Sequence, residues 1–289
     1  METTIFKSPV CNMKNLDNLF IEMTAKNCNQ RCTHCYIDFP ISKKVEDFIS
    51  IDTVKNALED TKSFSPQCIY LTGAEPMTHP DFNGILRLCL KYSAVCICTN
   101  GSFINEKKAR FLKKVQDEGI HEIIFKLSLA HYDEQKNDTV RCRGSFRQTI
   151  SAVKHLTKYG FNPIITVTNY YNEGKNIIFD NLKRKFESIG ITLEERNICI
   201  NEYFNSNSKN HETEYISSDI NFNTDCENGR MLTTKGIYSC PFLANDHRGR
   251  CGANFNDFSD RIALEAEYCN TCLKNQRQVF GINFSDFDY

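Results

Sequence analysis

Six short apolar segments, each separated from the next by a stretch with helical periodicity, constrain this chain more than any other feature. They lie at residues 19–24, 68–72, 94–98, 122–129, 163–168 and from 191 to about 200. Apolar alternation in the first, and short apolar runs bounded by turn residues in the others, read as strands. Helices are expected from residue 51, with Asp52 as N-cap, and over 81–91, 105–118, 145–159 and 173–188, with Gly119 and Gly160 as stops. Strands alternating with helices predict a parallel sheet curved into a partial (β/α)6 TIM-like barrel of the α/β class. Ligands in such folds sit at the carboxyl ends of the strands.

At the end of the first strand segment stands Cys28-Asn29-Gln30-Arg31-Cys32-Thr33-His34-Cys35-Tyr36, three thiols spaced C-x3-C-x2-C. Three thiolates can hold three irons of a [4Fe–4S] cube and leave the fourth iron open. An open metal position is the mark of a catalytic rather than a structural site. The competing structural reading is a zinc knuckle completed by His34. The second strand segment runs into Gly73-Ala74-Glu75-Pro76. A glycine permits close backbone approach, a carboxylate follows, and a proline stiffens the turn, so the tetrapeptide could cradle an ammonium group or be a plain turn.

Together, one βα unit apart, these motifs resemble the signature of the radical S-adenosylmethionine (radical SAM) enzymes. The resemblance implies that Cys28, Cys32 and Cys35 hold the cluster whose open iron binds SAM, and that Tyr36 lies near the adenine. It implies that Gly73, Ala74 and Glu75 hold the SAM amino group, with Ala74 standing where the family has a second glycine. Polar groups at later strand ends, Thr99, Asn100, Ser128 and Asn169, match further SAM contacts. The stretch Arg143-Gly144-Ser145-Phe146 resembles an Arg-Gly-x-x-Phe pattern after strand four, one residue shorter here, and the resemblance implies Arg143 as the partner for the SAM carboxylate. Ala130-His131 replaces the Asp-Gly found there in the subgroup with a C-terminal cluster domain.

Fifteen cysteines in 289 residues need a reason. A chain with no signal-peptide layout and no apolar run long enough to span a membrane is expected to be cytoplasmic, where clustered thiols are metal ligands more often than disulfides. Singletons such as Cys68, Cys89, Cys96 and Cys98 read as small buried hydrophobes. Formal net charge is −1, so no basic field points to nucleic acid. Residues 1–18 form a lead-in, too short for a separate leader-recognition domain, and 19–200 form the barrel. Residues 201–223 are linker-like, 224–273 make a cysteine-rich module, and 274–289 an aromatic tail in which docked packing is the expectation.

The module carries Cys226, Gly236, Cys240, Cys251, Cys269 and Cys272. It is too small for much core, so bound metal is expected to supply stability. Four-cysteine zinc is one reading. The pattern otherwise resembles the twitch domain, a shortened SPASM domain, which implies an auxiliary [4Fe–4S] cluster on Cys226, Cys240, Cys269 and Cys272, with Cys251 as a substitute.

The resemblance implies reductive cleavage of SAM to a 5′-deoxyadenosyl radical, with electrons from a donor such as flavodoxin or ferredoxin. A fully ligated second cluster fits an electron acceptor, hence net oxidation of a small molecule or peptide by dehydrogenation or cross-linking. The alternatives are maturation of a ribosomal peptide, epimerisation with Cys142 or Cys199 as thiol donor, and a non-catalytic zinc-binding interaction protein.

Overall fold

The computed structural model describes residues 9–37, 47–203, 224–269, 272 and 279–282. The strands and helices in chain order are β1 (Val10–Asn12), β2 (Asn18–Thr24), α1 (Ile51–Asp60), β3 (Cys68–Gly73), α2 (Phe82–Cys89), β4 (Ala94–Thr99), α3 (Glu106–Asp117) and β5 (Ile123–Leu129). There follow α4 (Glu134–Val140), α5 (Ser145–Lys158), β6 (Ile164–Asn169), α6 (Lys175–Glu187) and β7 (Ile198–Glu202). Of the stretch 201–223 expected as linker, Asn201 and Glu202 belong to β7 and 204–223 lie outside the described residues; after it come α7 (Asp225–Asn228), β8 (Gly229–Thr233), β9 (Gly236–Tyr238), β10 (Arg250–Asn254), β11 (Asp257–Phe258) and β12 (Arg261–Ala263).

Strands β2 to β7 lie side by side in chain order, all parallel, as the βα alternation requires. The sheet continues beyond β2, where β8 pairs with it in parallel, and β9, β10 and β11 follow antiparallel. Alternate residues face opposite sides. Leu19, Ile21 and Met23 pack outward with Ile69, Leu71, Val95, Ile97, Phe125 and Leu127 beneath the helices. Phe20, Tyr70, Cys96 and Ile124 face inward with Met231 and Tyr238. Each fully buried aliphatic or aromatic side chain contributes about 1.5–3 kcal/mol, so the larger outer layer carries most of the stability, with the smaller inner cluster adding to it.

Two expected boundaries shift. Ser50, not Asp52, caps α1, because its side chain accepts from the Thr53 N–H. The sixth barrel strand starts at Ile198 rather than Ile191. Ile191 and Leu193 are buried as irregular chain, and a 3-10 turn over Glu195–Asn197, closed by a capping box, precedes the strand. Helix α4 was not expected; the fully buried Asn137 side chain pins it by accepting from the Ala130 N–H at 2.8 Å and donating to Ser145 Oγ at 2.9 Å. Cys68, Cys89 and Cys96 are buried as expected, while Cys98 is only partly buried.

The lead-in and the tail both dock. β1 pairs antiparallel with β12, so the start of the described chain closes onto the C-terminal module. Residues 279–282 return to the inner face of the barrel. Lys126 Nζ donates to the Phe280 carbonyl at 2.7 Å, and the Ile282 N–H donates to the Tyr70 hydroxyl at 2.7 Å. Buried Asp225 accepts from the N–H groups of Val279, Phe280 and Gly281 at 2.7, 3.0 and 2.7 Å. Of the tail aromatics only Phe280 falls within the described residues. Among the described residues, no helix is long and apolar enough to cross a membrane.

Replacing Asp225 with Ala strips three backbone donors of their acceptor. Each buried donor left unpaired costs about 1–3 kcal/mol, so Asp225→Ala is expected to lower the urea midpoint clearly and to make the 279–282 segment accessible to protease. An unchanged midpoint would show that the tail carries no stability.

Candidate functional site

The cysteine loop leaves the carboxyl end of β2 and is tied down from several sides. Thr24 Oγ1 donates to Asp47 Oδ1 at 2.7 Å and accepts from the Asn27 N–H at 3.0 Å. The Glu75 N–H donates to the Asn27 carbonyl, and the Thr33 N–H to the Val140 carbonyl. Asn100 Nδ2 donates to Asn29 Oδ1 at 2.9 Å and lies 3.8 Å from Cys28 Sγ, while the Gln30 N–H lies 3.4 Å from the same sulfur. The loop is thus fixed by β3, β4 and the end of α4.

Burial raises the Cys28 thiol; the Gln30 N–H opposes this, and Glu75 and Cys32 raise it further. Burial likewise pushes Cys35 up to about 11, with Cys32 and Cys28 adding to the rise. The three thiols are therefore close enough to feel one another, and a cation that replaced the protons of Cys28 and Cys35 would relieve the cost of their ionisation. Gln30 Nε2 is buried with no partner beside these sulfurs, a donor suited to a sulfide-rich group. His34 Nδ1 is also unpartnered, and burial, helped by Arg141, lowers that imidazole to about 3. Among the described residues, no trio of thiol, imidazole or carboxylate groups closes on a single-ion site. The donor set and the orphaned amide fit a cluster held by Cys28, Cys32 and Cys35.

Gly73 sits at φ +109°, and a Cβ there would lie 2.4 Å from the Thr24 carbonyl oxygen. Glycine is required at this position. Ala74 has no positive φ and donates its N–H to Thr24 at 2.8 Å, so the second glycine of the family pattern is dispensable here. Glu75 is 1% exposed and accepts from Thr99 Oγ1 at 2.7 Å, the Asn100 N–H at 2.9 Å and the Met77 N–H at 3.2 Å. A carboxylate has about four lone-pair sites, so roughly one remains for a ligand ammonium. Glu75, Thr99 and Asn100 form one connected unit.

The other sequence-derived candidates separate. Ser128 stands on the inner face of β5, in alternation with Lys126. Asn169 is committed locally, accepting from the Glu173 N–H and donating to the Glu173 carbonyl. Arg143 is exposed, whereas Arg141 is 8% exposed and donates through Nε to Gln30 Oε1 at 3.2 Å. Arg141 is the guanidinium that the fold sets beside the cysteine loop; nothing local in the sequence distinguishes it from its neighbour. Sequence reasoning also missed a polar knot at the same strand ends. Glu173 accepts from His131 Nε2 at 2.9 Å, Tyr132 OH at 2.9 Å and Lys136 Nζ at 2.7 Å. Cys142 and Cys199 are partly buried and lie on different elements, one after α4 and one in β7.

A second site lies in the C-terminal module. Cys226, Cys240, Cys269 and Cys272 line one cavity with Thr224, Ser239, Phe242, Tyr268 and apolar residues. Burial raises the Cys240 and Cys272 thiols, with neighbouring cysteines adding to both. Burial pushes Cys269 up to about 12. Cys251 is absent from that lining, though it packs against the same apolar cluster. Cys11 of β1 is 1% exposed and its thiol meets that of Cys226, which it keeps low by hydrogen bonding. As a lone cysteine in the lead-in it carried no signal. Ser239 Oγ is an orphaned buried hydroxyl at this cavity, which fits a sulfur-rich occupant.

The two cysteine sites are joined by aromatic contact. Tyr36, next to Cys35, meets the rings of Phe242 and Phe280 edge-on, each at 5.6 Å. Phe242 stacks on Tyr268 at 4.8 Å, and both line the second cavity. Burial raises the Tyr36 phenol well above its usual value, so it stays neutral.

Comparison with known proteins matches residues 24–176 to the radical SAM superfamily. The antilisterial bacteriocin subtilosin biosynthesis protein AlbA of Bacillus subtilis is 30% identical over 135 residues, 46% of this chain and 29% of AlbA. The match therefore spans less than a third of that relative. Among solved structures, anSMEcpe with bound AdoMet aligns at a TM-score of 0.64 and 14% identity, covering 92% of this chain and 84% of that one. Streptococcus suis SuiB bound to precursor peptide SuiA aligns at 0.60 and 14%, covering 91% and 65%. These structures share the fold through the C-terminal module as well as the barrel.

Gly73→Ala combines left-handed backbone with a clash against fixed main chain. Gly144→Ala at φ +84° meets open space and should cost only the conformational penalty of about 1–2 kcal/mol. Thermal melts should place Gly73→Ala clearly below Gly144→Ala; equal losses would remove the clash argument. For Glu173, burial pushes the carboxyl up, but hydrogen bonds from Lys136, His131 and Tyr132 outweigh it and hold the group down at about 2. A depressed carboxylate adds stability above its unfolded value of about 4.3 that is lost as pH falls through the folded value. The stability gap between wild type and Glu173→Gln, read from urea melts, should be full above pH 5 and close between about pH 4.3 and pH 2. A pH-independent gap would contradict the ionised knot.

Proposed function

The chain belongs to the radical SAM superfamily, and from that premise we propose that it is a SAM-cleaving enzyme that oxidises a peptide. The single observation that carries the oxidation reading is the cavity on which Cys226, Cys240, Cys269 and Cys272 converge from distant parts of the module. Four protein thiolates saturate a [4Fe–4S] cluster and leave it no iron with which to grip a substrate.

When bound, the first cluster and SAM supply a 5′-deoxyadenosyl radical that takes a hydrogen atom from substrate. The chain's own residues do the positioning. Cys28, Cys32 and Cys35 hold the cluster; Glu75 offers its remaining lone pair to the SAM ammonium, backed by Thr99 and Asn100. Arg141 replaces Arg143 as the guanidinium proposed for the SAM carboxylate, and Tyr36 bounds the adenine side. Net oxidation needs one further electron and one proton to leave the substrate. A cluster held by Cys226, Cys240, Cys269 and Cys272 would supply the acceptor for that electron, and the ring contacts from Tyr36 through Phe242 to Tyr268 link the two cysteine sites. The low-potential electron that starts each turnover comes from a donor of the flavodoxin or ferredoxin class.

A peptide is favoured over a small molecule by the relatives. AlbA acts in bacteriocin biosynthesis, SuiB was seen with precursor peptide SuiA, and anSMEcpe was seen with AdoMet and the Kp18Cys peptide. Maturation of a ribosomal peptide, by dehydrogenation or cross-linking, is the reaction class these relatives favour. Epimerisation has less support, since Cys142 and Cys199 stand on separate elements.

Anaerobic reconstitution tests the cofactor reading. Roughly eight irons per chain are expected, falling to roughly four in a Cys28/Cys32/Cys35→Ala variant. Wild type with SAM and reductant should release 5′-deoxyadenosine, and the variant none. Zinc in place of the second set of irons, or SAM regenerated rather than consumed during turnover, would defeat the oxidation reading.

A further inference from the structure

Arg230 of β8 is the largest side chain buried without trace of solvent, at 0% exposure. A buried charge is costly unless something of opposite sign lies near it. Its Nη1 donates to the carbonyls of Cys226 at 2.7 Å and Gly229 at 2.8 Å, and its Nη2 to that of Asp260 at 2.6 Å. Carbonyls solvate a guanidinium but do not neutralise it. Its Nε has no partner. The two acids of the adjacent helix α7 are engaged elsewhere: Asp225 holds three tail N–H groups, and Glu227 is ion-paired with Lys14 at 2.8 Å. Among the described residues no carboxylate pairs with this cation; it is bonded to the main chain of Cys226, which lines the second cavity, and it faces the thiol of Cys251.

Ser239 gives an independent sign at the same cavity. It is 1% exposed, its hydroxyl has no partner, and it lines the cavity beside Cys240. Thr224, at the same wall, already places its hydroxyl 3.4 Å from Cys226 Sγ. Ser239 offers a buried, unused hydroxyl at the wall of thiols, and Arg230 stands behind that wall, bonded to the carbonyl of Cys226 with one donor unused; together they call for an anionic, sulfur-rich occupant. A [4Fe–4S] cluster on four thiolates is such an occupant, and it becomes more negative by one charge on accepting an electron.

We infer that Arg230 and Ser239 are positioning residues that raise the reduction potential of the second cluster, Arg230 by its buried charge and Ser239 by an O–H···S hydrogen bond. Both stabilise the reduced state more than the oxidised one. The pair would make this cluster the better electron sink of the two. The inference rests on the second-cluster reading above.

The test uses full-length protein in the Cys28/Cys32/Cys35→Ala background, reconstituted anaerobically, with the midpoint potential followed by electron paramagnetic resonance. Ser239→Ala and Arg230→Gln are each expected to move the midpoint to more negative potential with iron content unchanged. Ser239→Thr and Arg230→Lys, which keep the hydroxyl and the charge, should restore most of the shift. Unchanged midpoints in iron-loaded Ser239→Ala and Arg230→Gln would overturn the inference while leaving the second cluster in place. If Arg230→Gln fails to fold, Ser239→Ala, which removes one oxygen, decides the matter alone. A background protein that binds no iron at all would overturn the second-cluster reading and this inference with it.

Discussion

Parallel pairing on both edges of β2 is the constraint on which the rest depends. On one side β3 aligns Ile21 with Leu71 and Glu22 with Thr72, which brings Gly73 against Thr24. That places the Gly-Ala-Glu-Pro turn directly beside the start of the cysteine loop. On the other side β8 aligns Asn18 with Gly229 and Ile21 with Leu232. Cys226, just before β8, therefore lies near the amino end of β2, while Cys28 follows its carboxyl end.

The space between is filled from the inner face of the sheet. Tyr36 reaches inward from the first loop, and Phe242 and Phe280 meet it from the module and the tail. Lys126 and Asp225 secure the tail by hydrogen bonds to its main chain, which a tail of any sequence other than proline could make. The two faces of the sheet differ in composition: the outer carries the large apolar layer, while the inner mixes buried aromatic and apolar side chains with thiols and polar groups such as Lys126. This division explains why Cys96 and Cys98, two residues apart on one strand, both point inward while Ile97 between them belongs to the outer core.

Polar satisfaction separates the groups that build the site from those that await a ligand. Asn137, Asn169 and Asp225 spend their hydrogen bonds on main chain and neighbouring side chains of the fold itself. Glu75 retains a lone pair, and Gln30 Nε2, Arg230 Nε and Ser239 Oγ retain donors in buried surroundings where none should be wasted. Gln30 lies in the first cysteine loop, Ser239 lines the second cavity, and Arg230 is bonded to the main chain of Cys226 behind it, whereas Thr166, Thr234 and Asn245 leave buried polar atoms unpaired elsewhere.

The sequence by itself determined the (β/α) alternation, the C-x3-C-x2-C loop with its Gly-Ala-Glu-Pro partner, and the four cysteines that line the second cavity. These signals are local: strand period, turn chemistry and thiol spacing act within a few residues, so they survive without coordinates. Only the tertiary structure decided that Arg141 rather than Arg143 turns toward the loop, that Cys11 meets Cys226, and that Arg230 is buried against main-chain carbonyls. Each depends on which way a side chain points once distant strands pair. The start of the last barrel strand was decided in the same way. Ile191 and Leu193 are apolar enough for a strand, but they fill the outer core as irregular chain, and pairing with β6 begins only at Ile198. Burial is a property of the packed chain, and hydrophobicity alone does not say which backbone conformation will deliver it.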